Sequence, residues 1–93
     1  MSLNKRTVKD TYEAAFYMIH GAIIESVSIS RLAENDKRRF RRQRHLWILE
    51  LDNVPYDAIK LWKTDQAFAN VRDIERERNR IKRRVRKLLF SKN

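Results

Sequence analysis

The chain has 93 residues, 42% of them apolar, no cysteine and a formal net charge of +10. That length makes one domain with a modest core, burying roughly two-thirds of its unfolded surface, and excludes a deep substrate cavity. The missing cysteine excludes disulfides, thiolate zinc sites and thiol nucleophiles, while the charge calls for a polyanion: nucleic acid, an anionic membrane surface or an acidic protein.

Met1 to Arg6 read as a loose basic start, and residues 91–93 as a frayed end, of a single domain over 1–93. From Thr7 the apolar positions Val8, Tyr12, Ala15, Phe16 and Ile19 fall at helical spacing. Thr7 with Asp10, and Asp10 with Glu13, are overlapping capping-box candidates. Gly21, the only glycine, sits where a helix ending near His20 needs a left-handed C-cap. The spacing therefore predicts a helix over Val8 to His20.

Ala22 to Ser30 changes character, with Val27 and Ile29 alternating with Ser26, Ser28 and Ser30 as in a half-buried strand. Turn chemistry follows at Asn35 and Asp36. Arg38 to Leu51 reads as a second long strand, interrupted near Gln43. Its end, Leu46-Trp47-Ile48-Leu49, is apolar on both faces and so predicts an interior strand covered by helices on at least one side.

Asn53-Val54-Pro55 ends that strand and starts a helix with the stripe Ala58, Ile59, Leu61 and Trp62. Thr64 to Asn70 is a short connection, with Asn70 able to cap the next helix. From Val71 to about Phe90 the seam Val71, Ile74, Arg78, Ile81, Val85, Leu88 alternates steps of three and four, the mark of one amphipathic helix. The predicted fold is α+β in the order α-β-β-α-α: an antiparallel hairpin packed with helices and a long basic C-terminal helix. A hairpin alone is marginal. The helices must cover it, or a third strand must come from the region around Phe40 or from a partner chain.

Two basic clusters stand out. Lys37, Arg38, Arg39, Arg41, Arg42 and Arg44 crowd the hairpin with no acid among them. A solubilising tip normally mixes signs, so phosphate binding by an arginine-studded ribbon is the favoured reading, with Phe40 read as core. The second cluster is Arg80, Lys82, Arg83, Arg84, Arg86 and Lys87, past the last acid at Glu77. Cations suit a helix C-terminus, but one or two would serve that purpose. Asp73–Arg76, Glu75–Arg78 and Glu77–Arg80 are i,i+3 pairs expected on a solvent-exposed face. Arg78, in the seam, either pairs with a carboxylate, Glu25 and Glu50 being candidates, or extends its stem to solvent.

Support for catalysis is poor. His20 and His45 lack ligand-like neighbours. Asp52 and Asp57 flank a turn where two-metal nucleases keep carboxylates, yet read more simply as turn chemistry and a first-turn acid. One glycine cannot build a phosphate loop. Trp47 and Trp62 lie in apolar patterns and read as core.

Lys9-Asp10-Thr11-Tyr12-Glu13-Ala14-Ala15-Phe16 with Gly21 and its strand, then Leu61-Trp62, Asn70-Val71 and a basic final helix, resembles small uncharacterised domains of bacteria and their phages. The resemblance implies an α+β fold and a mobile-element context, and it implies no activity. The expectation is a non-enzymatic, soluble, cytoplasmic nucleic-acid-binding protein with no metal, cofactor or small-molecule substrate, RNA or single-stranded DNA being favoured. The alternative is a protein-interaction subunit of a larger nucleoprotein assembly, docked or self-associated through the last helix's seam or the hairpin edge. No leader or membrane-spanning run is expected.

Overall fold

A computed structural model describes residues 4–31 and 45–90. Within them the chain runs β1 (Asn4–Val8), α1 (Thr11–Ile19), β2 (Ile23–Arg31), β3 (His45–Val54), α2 (Tyr56–Lys63) and α3 (Val71–Phe90). The α+β class and the α-β-β-α-α order are as predicted, with β2 and β3 as the antiparallel hairpin. The addition is β1, which pairs antiparallel with the other edge of β3 and gives the sheet order β1-β3-β2.

Asn4 to Arg6 are thus strand, not a loose start, and the third strand comes from the N-terminal end of the chain. The sequence hides β1 because Asn-Lys-Arg-Thr-Val offers only one buried side chain, Val8. Main-chain bonds to β3 hold it instead, and ion pairs fix its two faces. Lys5 reaches across β3 to Glu25 of β2 at 3.2 Å, and that hydrogen-bonded carboxylate raises the Lys5 pKa. Arg6 lies 3.7 Å from Glu13 of α1.

The register explains the layering. Leu49 faces Val8 on one side and Val27 on the other, Leu51 faces Ile24, and Trp47 faces Ile29. Alternation puts all of these on one face of the sheet, where they meet the helices. The opposite face carries Thr7, Glu50 and Ser26, all exposed, with Ser26 Oγ donating to Glu50 at 3.0 Å. Leu46 and Ile48 alternate onto that same face, Leu46 buried and Ile48 half-buried, so β3 is apolar on both faces as expected.

Helix α1 begins at Thr11, later than predicted, because Thr7 and Val8 are committed to β1. Asp10 is the N-cap; its Oδ1 accepts from the amides of Tyr12 at 2.8 Å and Glu13 at 3.5 Å. The Glu13 carboxylate instead accepts from the Tyr17 hydroxyl at 2.7 Å. Ala14, Ala15, Phe16 and Tyr17 are buried in succession, since α1 is wedged among the sheet, α2 and α3. The helix closes as the lone glycine predicts. Gly21 adopts φ +108°, and the amides of Gly21 and Ala22 donate back to Met18 and Tyr17 at 3.1 and 3.0 Å. Asn53, itself at φ +63° beside the bulge of β3, donates its side-chain amide to the Gly21 carbonyl at 3.1 Å.

Helix α2 follows Pro55 and buries Ala58 and Ile59, while Trp62 packs near the rings of Phe16 and Tyr17 at 5.9 and 6.4 Å. Trp47 and Trp62 are half-buried against the core, where the apolar pattern places them. Asn70 Oδ1 caps α3 by accepting from the Arg72 amide at 2.8 Å. Ile81 and Val85 are buried and Ile74 and Leu88 half-buried; Val71, expected in the seam, is exposed in the first turn. Glu77, expected on the solvent face, is instead only 4% exposed. Arg78 is half-buried and paired, though not with Glu25 or Glu50. It pairs with Glu75 at 3.2 Å, donates from Nε to Thr11 Oγ1 at 3.3 Å, and lies 4.0 Å above the Tyr12 ring.

Two tests follow from these contacts. A Cβ at Gly21 meets no atom within 4 Å, so Gly21→Ala should cost only the backbone strain, about 1–2 kcal/mol, in urea unfolding. Burial, and then the bond to Glu13, push the Tyr17 phenol above its ordinary value. A raised acid stabilises the fold below its unfolded pKa of about 10 and loses that contribution as pH climbs further. Melting temperature should therefore drop between about pH 10 and 11, and Tyr17→Phe should flatten the drop.

Candidate nucleic-acid interface

Helix α3 is built in two electrostatic halves. In the first, each acid has a cation: Asp73 with Arg76 at 3.2 Å, Glu75 with Arg78 at 3.2 Å, and Glu77 with Arg80 at 3.0 Å. Glu77 also meets Arg76 at 3.5 Å, so its buried carboxylate sits between two guanidinium groups. After Glu77 no acid remains to the end of the sequence. Lys82, Arg83, Arg84, Arg86 and Lys87 make no ion pair with any described carboxylate.

The helical rotation sorts these cations into flanks. Ile81 and Val85 are buried in the core, with Ile74 packed against it, and hold the helix in place. Arg80, Arg84 and Lys87, four and three residues apart, lie on the flank toward β2 and line the grooves there. Arg83 and Arg86 project outward and are exposed; Lys82 is half-buried on the remaining flank. The six helical residues predicted to bind phosphate thus form a basic surface that wraps around more than one side of α3.

Within the unpaired five, Lys82/Arg86, Arg83/Arg86, Arg83/Lys87 and Arg84/Lys87 are like charges at i,i+3 or i,i+4. Each such pair destabilises a helix by about 0.2–0.5 kcal/mol, so together they cost about 1–2 kcal/mol. The apolar seam and the tertiary packing absorb that repulsion. A polyanion would relieve it.

The first predicted cluster, Lys37, Arg38, Arg39, Arg41, Arg42 and Arg44, lies outside the described residues, as does Phe40. The other candidates sit at a turn and at helix ends. Asp52 Oδ1 accepts from the Asn53 amide at 2.8 Å beside the β3 bulge, and Asp57 is the first-turn acid of α2. His20 ends α1 with its ring edge-on to Phe16 at 4.7 Å. Among the described residues no three His, Asp or Glu side chains converge as metal ligands, and no helix is long and apolar enough to cross a membrane.

Sequence reasoning missed the furrow between β2 and α3. Met18, Gly21, Ala22, Ile23, Ile24, Glu77, Arg80 and Arg84 line one depression of about 470 Å³. Glu25, Ser26, Val27, Arg84, Lys87 and Leu88 line a second of about 510 Å³, and Arg84 belongs to both. The break in helical period at Gly21 marked where β2 would begin, and nothing in the sequence set that strand beside the basic helix. No protein-family model, curated protein or solved structure matches the chain.

The repulsion along α3 is directly measurable. Arg83→Glu places an acid i−3 to Arg86 and i−4 to Lys87, away from the last turn where the dipole opposes it. It should raise stability by about 0.5–1 kcal/mol at low salt, read by urea titration, with the gain shrinking as salt screens the charges.

Proposed function

We propose that this protein is a non-enzymatic nucleic-acid-binding module that neutralises phosphates with the C-terminal half of α3, RNA or single-stranded DNA being the favoured ligand. The observation that carries the reading is that Lys82, Arg83, Arg84, Arg86 and Lys87 have no carboxylate partner among the described residues, whereas every acid in the first half of the same helix holds a cation. A surface kept charged for solubility would mix signs along its whole length, as residues 72 to 80 do. A helix dipole needs one or two cations, within the last turn. The surplus suits a ligand whose charge repeats along a line.

In this mechanism α3 is a rigid rail. Its apolar seam is fixed to the core, so the cations are presented without ordering the backbone anew on binding. Phosphate contacts set position and carry little sequence information. Asn79 is the one amide side chain in the helix, too little for base reading. The run Lys37 to Arg44 is the natural second contact, on a separate segment joining β2 to β3, which extends the footprint beyond one helix.

A salt series against a labelled single strand and the matching duplex tests this. Log K should fall linearly with log salt, and Arg83→Ala with Arg86→Ala should reduce the slope by about 1.4 to 1.8, at 0.7 to 0.9 per phosphate. Loss of affinity with no change in slope, or no binding to either strand at low salt, would overturn the proposal.

A further inference from the structure

Strand β2 is an edge. In the order β1-β3-β2 it gives one side to β3, and no described strand takes the other. Every second residue of a regular antiparallel strand turns its N–H and C=O away from its neighbour, and Ile23 to Val27, with a bulge at Glu25, line the furrow. The furrow's floor is apolar: Met18, Ala22, Ile24, Val27 and Leu88, with Ile23 57% exposed at its rim. Its far wall is α3, from which Arg80, Arg84 and Lys87 project over about 10 Å of helix. Arg84, the residue shared by both depressions, has no carboxylate partner among the described residues, nor has Lys87.

We infer that this furrow is a docking site for an extended, acidic segment of another protein, which adds its main chain to the free edge of β2. Strand addition draws affinity from main-chain hydrogen bonds and specificity from alternate side chains. Here the side chains turned toward α3 meet Arg80, Arg84 and Lys87, so acidic residues at every second position are selected. Their aliphatic stems cross the floor between Met18 and Leu88 to reach those cations, while side chains of the other parity turn to the opposite face of the sheet.

Two features choose this occupant over others. A phosphate backbone gains nothing from an apolar floor. A second copy of this chain would bring another +10 of charge to a cationic wall. An acidic segment with long aliphatic stems meets neither objection. Peptide and nucleic acid would draw on α3 unequally: the peptide on Arg84 and Lys87 of the flank toward β2, the nucleic acid also on Arg83 and Arg86, which project outward.

The test uses the full chain and a labelled, blocked octapeptide alternating Glu and Val, followed by anisotropy and by amide NMR shifts. Binding should be saturable and perturb the amides of Ile23 to Val27. Arg84→Glu with Lys87→Glu should weaken it at least about tenfold, whereas Arg83→Glu with Arg86→Glu should leave it within about twofold. A peptide N-methylated at alternate residues should lose binding on one of its two possible registers of methylation, the sign of main-chain pairing. Equal loss from both double variants would mean charge attraction without a groove and would overturn the inference. So would oligonucleotide binding that shifts the Ile23 to Val27 amides while the peptide shifts none, or a concentration-dependent dimer that buries the same edge. Because nucleic-acid binding is read separately, through the Arg83 and Arg86 salt slope, either proposal can fail while the other stands.

Discussion

Leu49 and Leu51, fully buried in the middle strand, set the position of everything else in the molecule. A strand with two such residues on one face needs main-chain partners on both edges and a helical layer over that face. Beta1 and β2 supply the edges, so Val8, Val27 and Ile24 come level with them. Helix α1 supplies the first cover with four consecutive buried residues, possible only because Ala14 and Ala15 let neighbouring elements approach closely. Helix α3 then lies across α1 with Ile81 and Val85 inward. Its basic flanks point where they do because its apolar seam has nowhere else to go.

That arrangement gives the charge a meaning that composition alone does not. Of the acids in the described residues, Glu13, Glu25, Asp73, Glu75 and Glu77 each hold a cation. Neutralisation is local and nearly stoichiometric in the first half of α3, where burying Glu77 between Arg76 and Arg80 ties the pairing to the fold. The second half has the same seam and the same packing and lacks only the acids. A chain with a modest core, carrying about 1–2 kcal/mol of repulsion in a single helix, gives up a sizeable fraction of a total stability of about 5–10 kcal/mol. Cations placed for solubility could be had without it.

Helices were legible in the sequence wherever end signals and periodicity agreed. Gly21, Pro55 and Asn70 marked boundaries that the structure keeps, and the three-four spacing gave α3 its limits. Beta1 was not legible, because a short charged edge strand owes its existence to the neighbouring main chain and leaves one apolar residue as its trace. Its effect spread: Thr7 looked like a cap because nothing local said it was already paired with Glu50. The burial of Glu77 was equally hidden. Read along the helix it is one of three i,i+3 acids; only the crossing of α1 and β2 beside it makes it an interior residue. Arg78 shows the reverse case, where the spacing flagged an oddity correctly and the partners, Glu75, Thr11 and Tyr12, could be named only in three dimensions.

The candidate site follows the same division. Which residues carry the charge was readable, since clustering without acids is a property of sequence. How they divide among flanks was readable in part, because helical rotation separates Arg83 from Arg84 on any straight helix. What lies opposite Arg84 was not, for it depends on β2 being the outer strand rather than the inner one, and that order depends on β1 occupying the far edge of β3. Had the third strand come from elsewhere and paired with β2, the furrow would be filled by main chain and the cationic flank would face a closed sheet. A five-residue strand with a single buried side chain therefore decides, from the opposite side of the molecule, that the basic helix borders an open edge.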